Sequence, residues 1–211
     1  PEVECGLDVP REAMRLVEVD GAVRLLTRES GRDMTDTMQS WMTGRLQELA
    51  RLPLCGFVFK AKSPSSGLHR IKIYQKNGGV RYNGTGIFAG GFTAAFPFMP
   101  VEEDGRLHDP RLRENFIERV FLMQRWHGLT GEQKSLTNLI GFHARHKYLL
   151  MAHCPKTLKE LGALVAAGRK YPPAELYDRY LAGMTRALQK IATVRKNTNV
   201  LLHICLLYTS P

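Results

Sequence analysis

The feature that most constrains this chain is a change of period at Asp109-Pro110. Ahead of it the apolar residues come in short runs broken by Gly, Pro and Asn. Beyond it every segment repeats them at helical spacing. Phe116, Val120, Phe121 and Met123 mark one helix, and Leu136, Leu139, Ile140, Leu149 and Leu150 the next. Leu158, Leu161, Leu164 and Val165 mark a third, stopped by Gly168; Leu176, Tyr180, Leu181, Met184, Leu188 and Ile191 mark a fourth. Pro110 suits a first helical position, where a missing N–H costs nothing. An all-α second domain follows. The expected division is 1–127, with a connector helix over about 110–127, and 128–204, the boundary falling near His127-Gly128.

The first domain reads as α/β, an open sheet with flanking helices. Met14 to Val19 and Ala22 to Thr27 are β-rich runs joined by Asp20-Gly21, a pair that tolerates the positive φ of a tight hairpin. Asp33 opens a helix carrying Met34, Met38, Trp41, Met42, Leu46 and Leu49 on one face, expected to end near Leu52, before Pro53. Phe57-Val58-Phe59 has the look of a strand buried on both faces. Ile71 to Ile73 suggests another strand, Gly84 to Ala95 a small-residue helix, and Val101 to Asp109 an acidic loop.

Of the 211 residues, 44% are apolar and 24% charged, which excludes disordered and collagen-like classes. The longest stretch without formal charge, Tyr82 to Val101, holds four Gly and two Pro and makes a poor bilayer span, so no membrane partner is expected. Four scattered cysteines do not form a disulfide scaffold, and no secretion signal is visible. A cytoplasmic location is the expectation. The net charge of +10 is unevenly placed: residues 1–115 hold 16 Lys+Arg against 15 Asp+Glu, residues 116–211 hold 14 against 5. A second half this basic points to a polyanion, nucleic acid first, or to a merely solvated surface.

The residues also nominate a site. Lys60 to Gly67 follows the Phe57 strand, where open α/β sheets place their ligands. Ser63, Ser65 and the backbone N–H groups around Gly67 can donate to a bound group, or Ser-Pro-Ser-Ser-Gly is simply a turn. Lys60 and Lys62 alternate along the strand end, so one of them should face the pocket mouth and meet a phosphate. His143, His146 and His153 share one face of a helical wheel. They could bind a metal, stack on bases or pack against Trp126, and no acidic residue joins them in the sequence. Arg145 and Lys147, with Arg169-Lys170, Arg179, Arg186, Lys190 and Arg195-Lys196, complete a basic set suited to the phosphates of folded RNA, without DNA specificity.

The opening Pro1-Glu2-Val3-Glu4-Cys5-Gly6-Leu7, with Val9-Pro10-Arg11-Glu12, the Lys60 to Gly67 loop, Pro100-Val101-Glu102-Glu103 and Arg113-Glu114-Asn115-Phe116, resembles the TudS-like thiouracil desulfidase family. Phe142-His143-Ala144-Arg145-His146-Lys147-Tyr148, with Met151-Ala152-His153 and Leu158 to Gly162, resembles the YbgA-type helical domain. The fusion implies non-redox removal of sulfur from 4-thiouridine in transfer RNA. The alternatives are desulfuration of free thiouracil or a nucleotide, and a non-catalytic RNA-binding module. The resemblance also implies a [4Fe-4S] cluster on three Cys thiolates with one open iron. Two of those cysteines would lie ahead of Pro1 and the third at Ser66, whose hydroxyl is a poor iron ligand. Cys5 is then the candidate cluster ligand within the chain, beside Ser66 and Gly67. Glu2 matches the family's acidic residue and is the candidate general acid or base, with Glu4 and Glu12 as stand-ins. Residues 205–211, Cys-Leu-Leu-Tyr-Thr-Ser-Pro, read as a non-native tail that breaks the helical pattern running through Val200, Leu201 and Leu202. The chain therefore reads as an inactive fragment of a desulfidase.

Overall fold

The computed structural model of the chain describes residues 1–7 and 9–209. By contacts it divides into two units, Pro1–Asp109 and Pro110–Pro211.

The first unit begins with the hairpin that Asp20-Gly21 announces. Strands β1 (Met14–Val19) and β2 (Ala22–Thr27) pair antiparallel, Met14 opposite Thr27 and Val19 opposite Ala22. Asp20 and Gly21 both take positive φ, 52° and 79°, the pattern that matches the twist of the flanking strands. Helix α1 (Thr35–Ala50) starts where Asp33 Oδ1 accepts the Thr35 N–H at 2.9 Å. It ends short of Leu52 because the N–H groups of Arg51 and Leu52 fold back to the carbonyls of Glu48 and Leu49.

Two small sheets follow. Strand β3 (Phe57–Phe59) precedes β4 (Ile71–Tyr74), β5 (Val80–Gly84), helix α2 (Ile87–Ala95) and β6 (Val101–Glu103). The larger sheet has the order β2-β1-β4-β5, with β1 parallel to β4 and β4 antiparallel to β5. Leu16, Leu25, Met34, Met38, Ile71 and Ile73 form its core. The smaller sheet is the parallel pair β3 and β6, Phe57 opposite Val101 and Phe59 opposite Glu103.

Two expectations are corrected here. Val101–Glu103 is a strand rather than the start of an acidic loop, because the buried Glu102 and Glu103 carboxylates find partners inside the chain. And β3 is not buried on both faces. Phe57 and Phe59 turn to the rings of Phe88 and Phe92, while Val58, on the other face by the period of two, is 46% exposed.

The second unit is all helix: α3 (Pro110–Gly131), α4 (Leu136–His153), α5 (Pro155–Ala166), α6 (Pro173–Leu188) and α7 (Val194–Thr209). Helix α3 runs unbroken through His127-Gly128. Ser135 caps α4, its Oγ accepting from Asn138 N at 3.1 Å. Trp126, Phe142, Tyr177 and Tyr180 form the aromatic centre, with Trp126 stacked on Tyr180 at a ring separation of 5.8 Å. Helix α7 does not break at Cys205; it runs on to Thr209, there being no Gly or Pro between Val194 and Thr209. Ser210 and Pro211 lie outside the described residues. Among the described residues no helix is long and apolar enough to cross a membrane.

Candidate functional site

The loop after β3 is built by its own side chains. The Ser63 hydroxyl accepts from the N–H groups of Ser65 and Ser66, at 3.3 and 3.2 Å, and Gly67 N donates to the Ser63 carbonyl at 2.7 Å. Helix α2 clamps the loop from the other side: Phe88 N donates to Ser65 O and Gly86 N to Gly67 O, at 2.8 and 2.7 Å. This contact is so close that a Cβ on Gly86 would sit 2.6 Å from the Ser65 carbonyl carbon. Downstream, Glu103 Oε1 accepts from both Leu68 N and His69 N, at 2.7 and 3.0 Å.

The backbone donors therefore have occupants. The N–H groups of Ser65, Ser66, Gly67, Leu68 and His69 are all engaged within the chain. They do not form an open anion nest, contrary to the expectation for the Ser/Gly turn, and binding at this loop falls to its hydroxyls.

Those hydroxyls meet Glu2. Ser65 Oγ donates to Glu2 Oε1 in a short bond, Ser63 Oγ lies 3.5 Å from the same oxygen, and the two hydroxyls are 2.9 Å apart. Arg11 Nη2 approaches the other carboxylate oxygen at 3.5 Å. Burial raises the Glu2 carboxyl, but the Ser65 hydrogen bond and the Arg11 charge outweigh it and hold the group below the ordinary glutamate value of 4.5. A carboxylate, two hydroxyls and a guanidinium thus converge from segments far apart in sequence. Glu12 is elsewhere, its carboxylate accepting from Ser30 Oγ and from the N–H groups of Glu29 and Ser30.

Of the remaining candidates in this unit, Cys5 is half-buried against the Leu16 core, its Sγ donating to Glu2 O at 3.3 Å, and burial pushes its thiol above the ordinary value. Ser66 is buried, with 8% exposure. Lys60 is held away from the loop, Nζ 2.7 Å from Asp104 Oδ2. The Lys60 hydrogen bond, with one from Ala61 N, lowers the Asp104 carboxyl to about 2. Lys62 alone of the two lysines lines a cavity next to the loop. The sequence reading missed Gly86, Phe88, Glu103 and Asp104, because a backbone clamp and a buried carboxylate leave no spacing signal.

In the helical unit the three histidines do not form one site. His143 Nδ1 lies 3.0 Å from Tyr180 Oη, and His146 Nδ1 lies 2.8 Å from Phe142 O. His153 Nδ1 meets Lys190 O, and its Nε2 meets Glu118 at 3.1 Å. Glu118, from α3, is the acidic neighbour that the sequence did not reveal. Burial lowers His143 and His146, so both rings are neutral at pH 7. Arg145 is exposed and lines a cavity with Arg125 and His146; Lys147 is exposed, its ammonium 4.8 Å from the Tyr148 ring centre. Cys154, at the α4–α5 junction, is lowered to about 7 by the Thr157 hydroxyl and Lys190.

Comparison with known proteins then places the two halves. Residues 1–104 match the model of the 2-thiouracil desulfurase family, and residues 147–207 match a family described as a protein of unknown function, DUF1722. The chain is a TudS-like segment fused to a YbgA-type helical segment. The uncharacterized protein YbgA of Escherichia coli (strain K12) is 26% identical over 95 residues, 44% of this chain and 56% of that protein. The chain thus spans a little over half of that relative. A solved structure of a [4Fe-4S]-dependent thiouracil desulfidase, TudS, is 29% identical and covers 52% of this chain and 67% of its own, with a TM-score of 0.37.

Such a cluster needs three thiolates. Around the loop the TudS-like segment offers hydroxyls, one carboxylate and Cys5, whose thiol is pushed up rather than down. Among the described residues no group of three His, Cys, Asp or Glu could hold a metal ion. The residues present do not fit a cluster.

Proposed function

We propose that this chain carries the substrate site of a desulfidase acting on a thiolated pyrimidine, 4-thiouridine of transfer RNA in particular, in the cytoplasm. The observation that carries the reading is the Glu2–Ser65–Ser63 constellation inside the segment matched by the thiouracil desulfurase family. The net reaction is a hydrolysis: water supplies the oxygen of the new C=O bond, the C=S bond breaks, and sulfur leaves as hydrogen sulfide. Glu2, ionised at neutral pH, accepts a proton from the attacking water. The Ser63 and Ser65 hydroxyls donate to the thiocarbonyl or ring acceptors and fix the base. Arg11 keeps the Glu2 carboxylate charged and in place.

Transfer RNA is supported by charge. Arg145 and Lys147 are exposed on α4, and Arg169 and Lys170 follow α5, so the basic half offers phosphate contacts without base readout. Those contacts offset the few kcal/mol, about 2 to 3, needed to unstack one base. His143 and His146, uncharged and engaged with the fold, assist only by shape. The test is titration of 4-thiouracil and a 4-thiouridine oligonucleotide, with sulfide release measured alongside. Ser65→Ala should weaken binding of the thiolated base, and Glu2→Gln should lower sulfide release by about 10²-fold or more. Unchanged binding and release in both variants would remove the assignment.

A further inference from the structure

A cavity of about 910 Å³ lies beside the serine loop in the first unit, and its lining is one-sided in charge. Arg15 from β1, Arg28 after β2, Lys62 and Arg70 from the two ends of the loop segment, and Lys72 from β4 all line it. Among the described residues none of these five has a carboxylate within salt-bridge distance. Elsewhere in the same unit most cations are paired, among them Lys60 with Asp104, Lys76 with Asp20 and Arg81 with Glu18, the exceptions being Arg32 and Arg51. The single carboxylate in the lining, Glu103, is buried and committed to the N–H groups of Leu68 and His69. The cations are unpaired by arrangement rather than by surplus, since residues 1–109 hold 14 Lys+Arg and 14 Asp+Glu.

Three further observations point to a ligand. Arg15 Nε is buried and has no hydrogen-bond partner, a state that is uncommon for a guanidinium and calls for an acceptor. Lys62 and Arg70 sit at φ 62° and 55°, left-handed conformations that cost energy for residues other than Gly and cluster at functional sites. Both project from the segment that carries Ser63 and Ser65, and Pro64 of that loop also lines the cavity. Aromatic rings share the wall. The Arg15 guanidinium lies 5.5 Å from the Tyr74 ring centre and the Lys72 ammonium 5.6 Å from that of Tyr82.

Unpaired Arg and Lys between aromatic faces are the composition that holds a nucleotide strand: phosphates on the cations, bases on the rings. We propose that this cleft binds the phosphates of the nucleotide that carries the thiolated base, and of its neighbours in an RNA strand. The inference deepens the reading given under Proposed function and rests on it for the identity of the base. It makes the TudS-like segment itself, and not only the basic helices, a phosphate-binding surface. A base without its phosphate would lose these contacts.

The test uses the full chain and three unmodified probes: uridine, uridine monophosphate and a short labelled oligouridylate. Binding is followed by calorimetry for the small probes and fluorescence anisotropy for the strand. The variant replaces Arg28→Gln, Lys72→Gln and Arg70→Asn, Asn being tolerant of the left-handed backbone. A control removes three charges from the helical unit that lie outside its basic set, Lys134→Gln, Lys156→Gln and Lys159→Gln. Circular dichroism and thermal midpoints establish that both variants fold. The expected result is binding of the phosphorylated probes at least tenfold tighter than of uridine. The cleft variant should lose that preference and reduce the salt slope for the oligouridylate by about 2, at ~0.7 per phosphate contact on a single strand. A monophosphate that binds as well as the strand identifies a one-nucleotide site; a strand that binds much better identifies an RNA track. Equal losses in the two variants, or uridine binding as tightly as its monophosphate, would overturn the proposal. Titration of 4-thiouracil with the same variants separates this outcome from failure of the Glu2–Ser65 site, because the free base has no phosphate and should bind unchanged.

Discussion

At the scale of single residues, two kinds of group set the pH response, and both lose their native contribution in acid for different reasons. Glu2 has a folded value below 4.5, so its tie to Ser65 and Arg11 is fully present above 4.5 and is lost as pH falls through the folded value. Sulfide release in a competent protein should therefore stay level on the acid side until pH drops below 4.5, and a pH–rate profile with a limb near 6 would remove Glu2 as the base. His143 and His146 are held neutral by burial, the carbonyl of Phe142 only partly offsetting this at His146. Their folded values lie below 6.5. Unfolded chains bind those protons first, so the helical unit should lose stability as pH falls from about 6.5 toward 5. Urea midpoints at pH 7.5 and 5.5 measure this, and His143→Gln together with His146→Gln should flatten the difference. Sequence periodicity put the three histidines on one helical face but could not say what each imidazole would meet. The partners, Tyr180, Phe142 O and Glu118, come from other turns and other helices.

At the scale of elements, the site depends on how closely α2 approaches the serine loop. Adding a methyl at Gly86 would place it 2.6 Å from backbone atoms of Ser65, which cannot move away without breaking the bonds from Phe88 N and Gly86 N. Gly86→Ala should cost about 1 to 3 kcal/mol and weaken binding at Ser65. Gly90→Ala, on the same helix with only Thr85 Cγ2 at 3.9 Å, should be neutral or mildly stabilising. A thermal-shift comparison of the two variants, read with 4-thiouracil titration, distinguishes the clamp from general helix propensity. In the helical unit Trp126→Ala should cost about 3 to 5 kcal/mol, because the indole packs on Phe142, Tyr177 and Tyr180 at once. Elements with a strong local signal were legible: the Asp20-Gly21 hairpin, the Phe57 strand, and the helices from Pro110 onward. Strands β5 and β6 were not. Val80–Gly84 is exposed along most of its length and paired on one side only, and Val101–Glu103 carries two acids whose burial is decided by Leu68, His69 and Arg106.

For the whole molecule, charge is the property that separates the readings of function. Residues 110–211 hold 16 Lys+Arg against 6 Asp+Glu, while the balanced first unit gathers five unpaired cations at one cleft. If the substrate is folded RNA, binding must release counterions from every phosphate that meets a cation. With about 6 to 10 such contacts the affinity for transfer RNA should fall by about 10³ to 10⁵ between 50 and 200 mM salt. Binding of free 4-thiouracil, which carries no phosphate, should barely change over the same range. Anisotropy of labelled transfer RNA and calorimetry of the free base, run in matched buffers, give the two slopes directly. A steep slope for the RNA and a flat one for the base assign the basic half to phosphate contacts and the serine loop to the base. Flat slopes for both would leave the charge of the helical unit without a role in substrate binding and favour the free base over RNA as the substrate. Steep RNA binding without any affinity for the thiolated base would instead mark an RNA-binding module that does no chemistry.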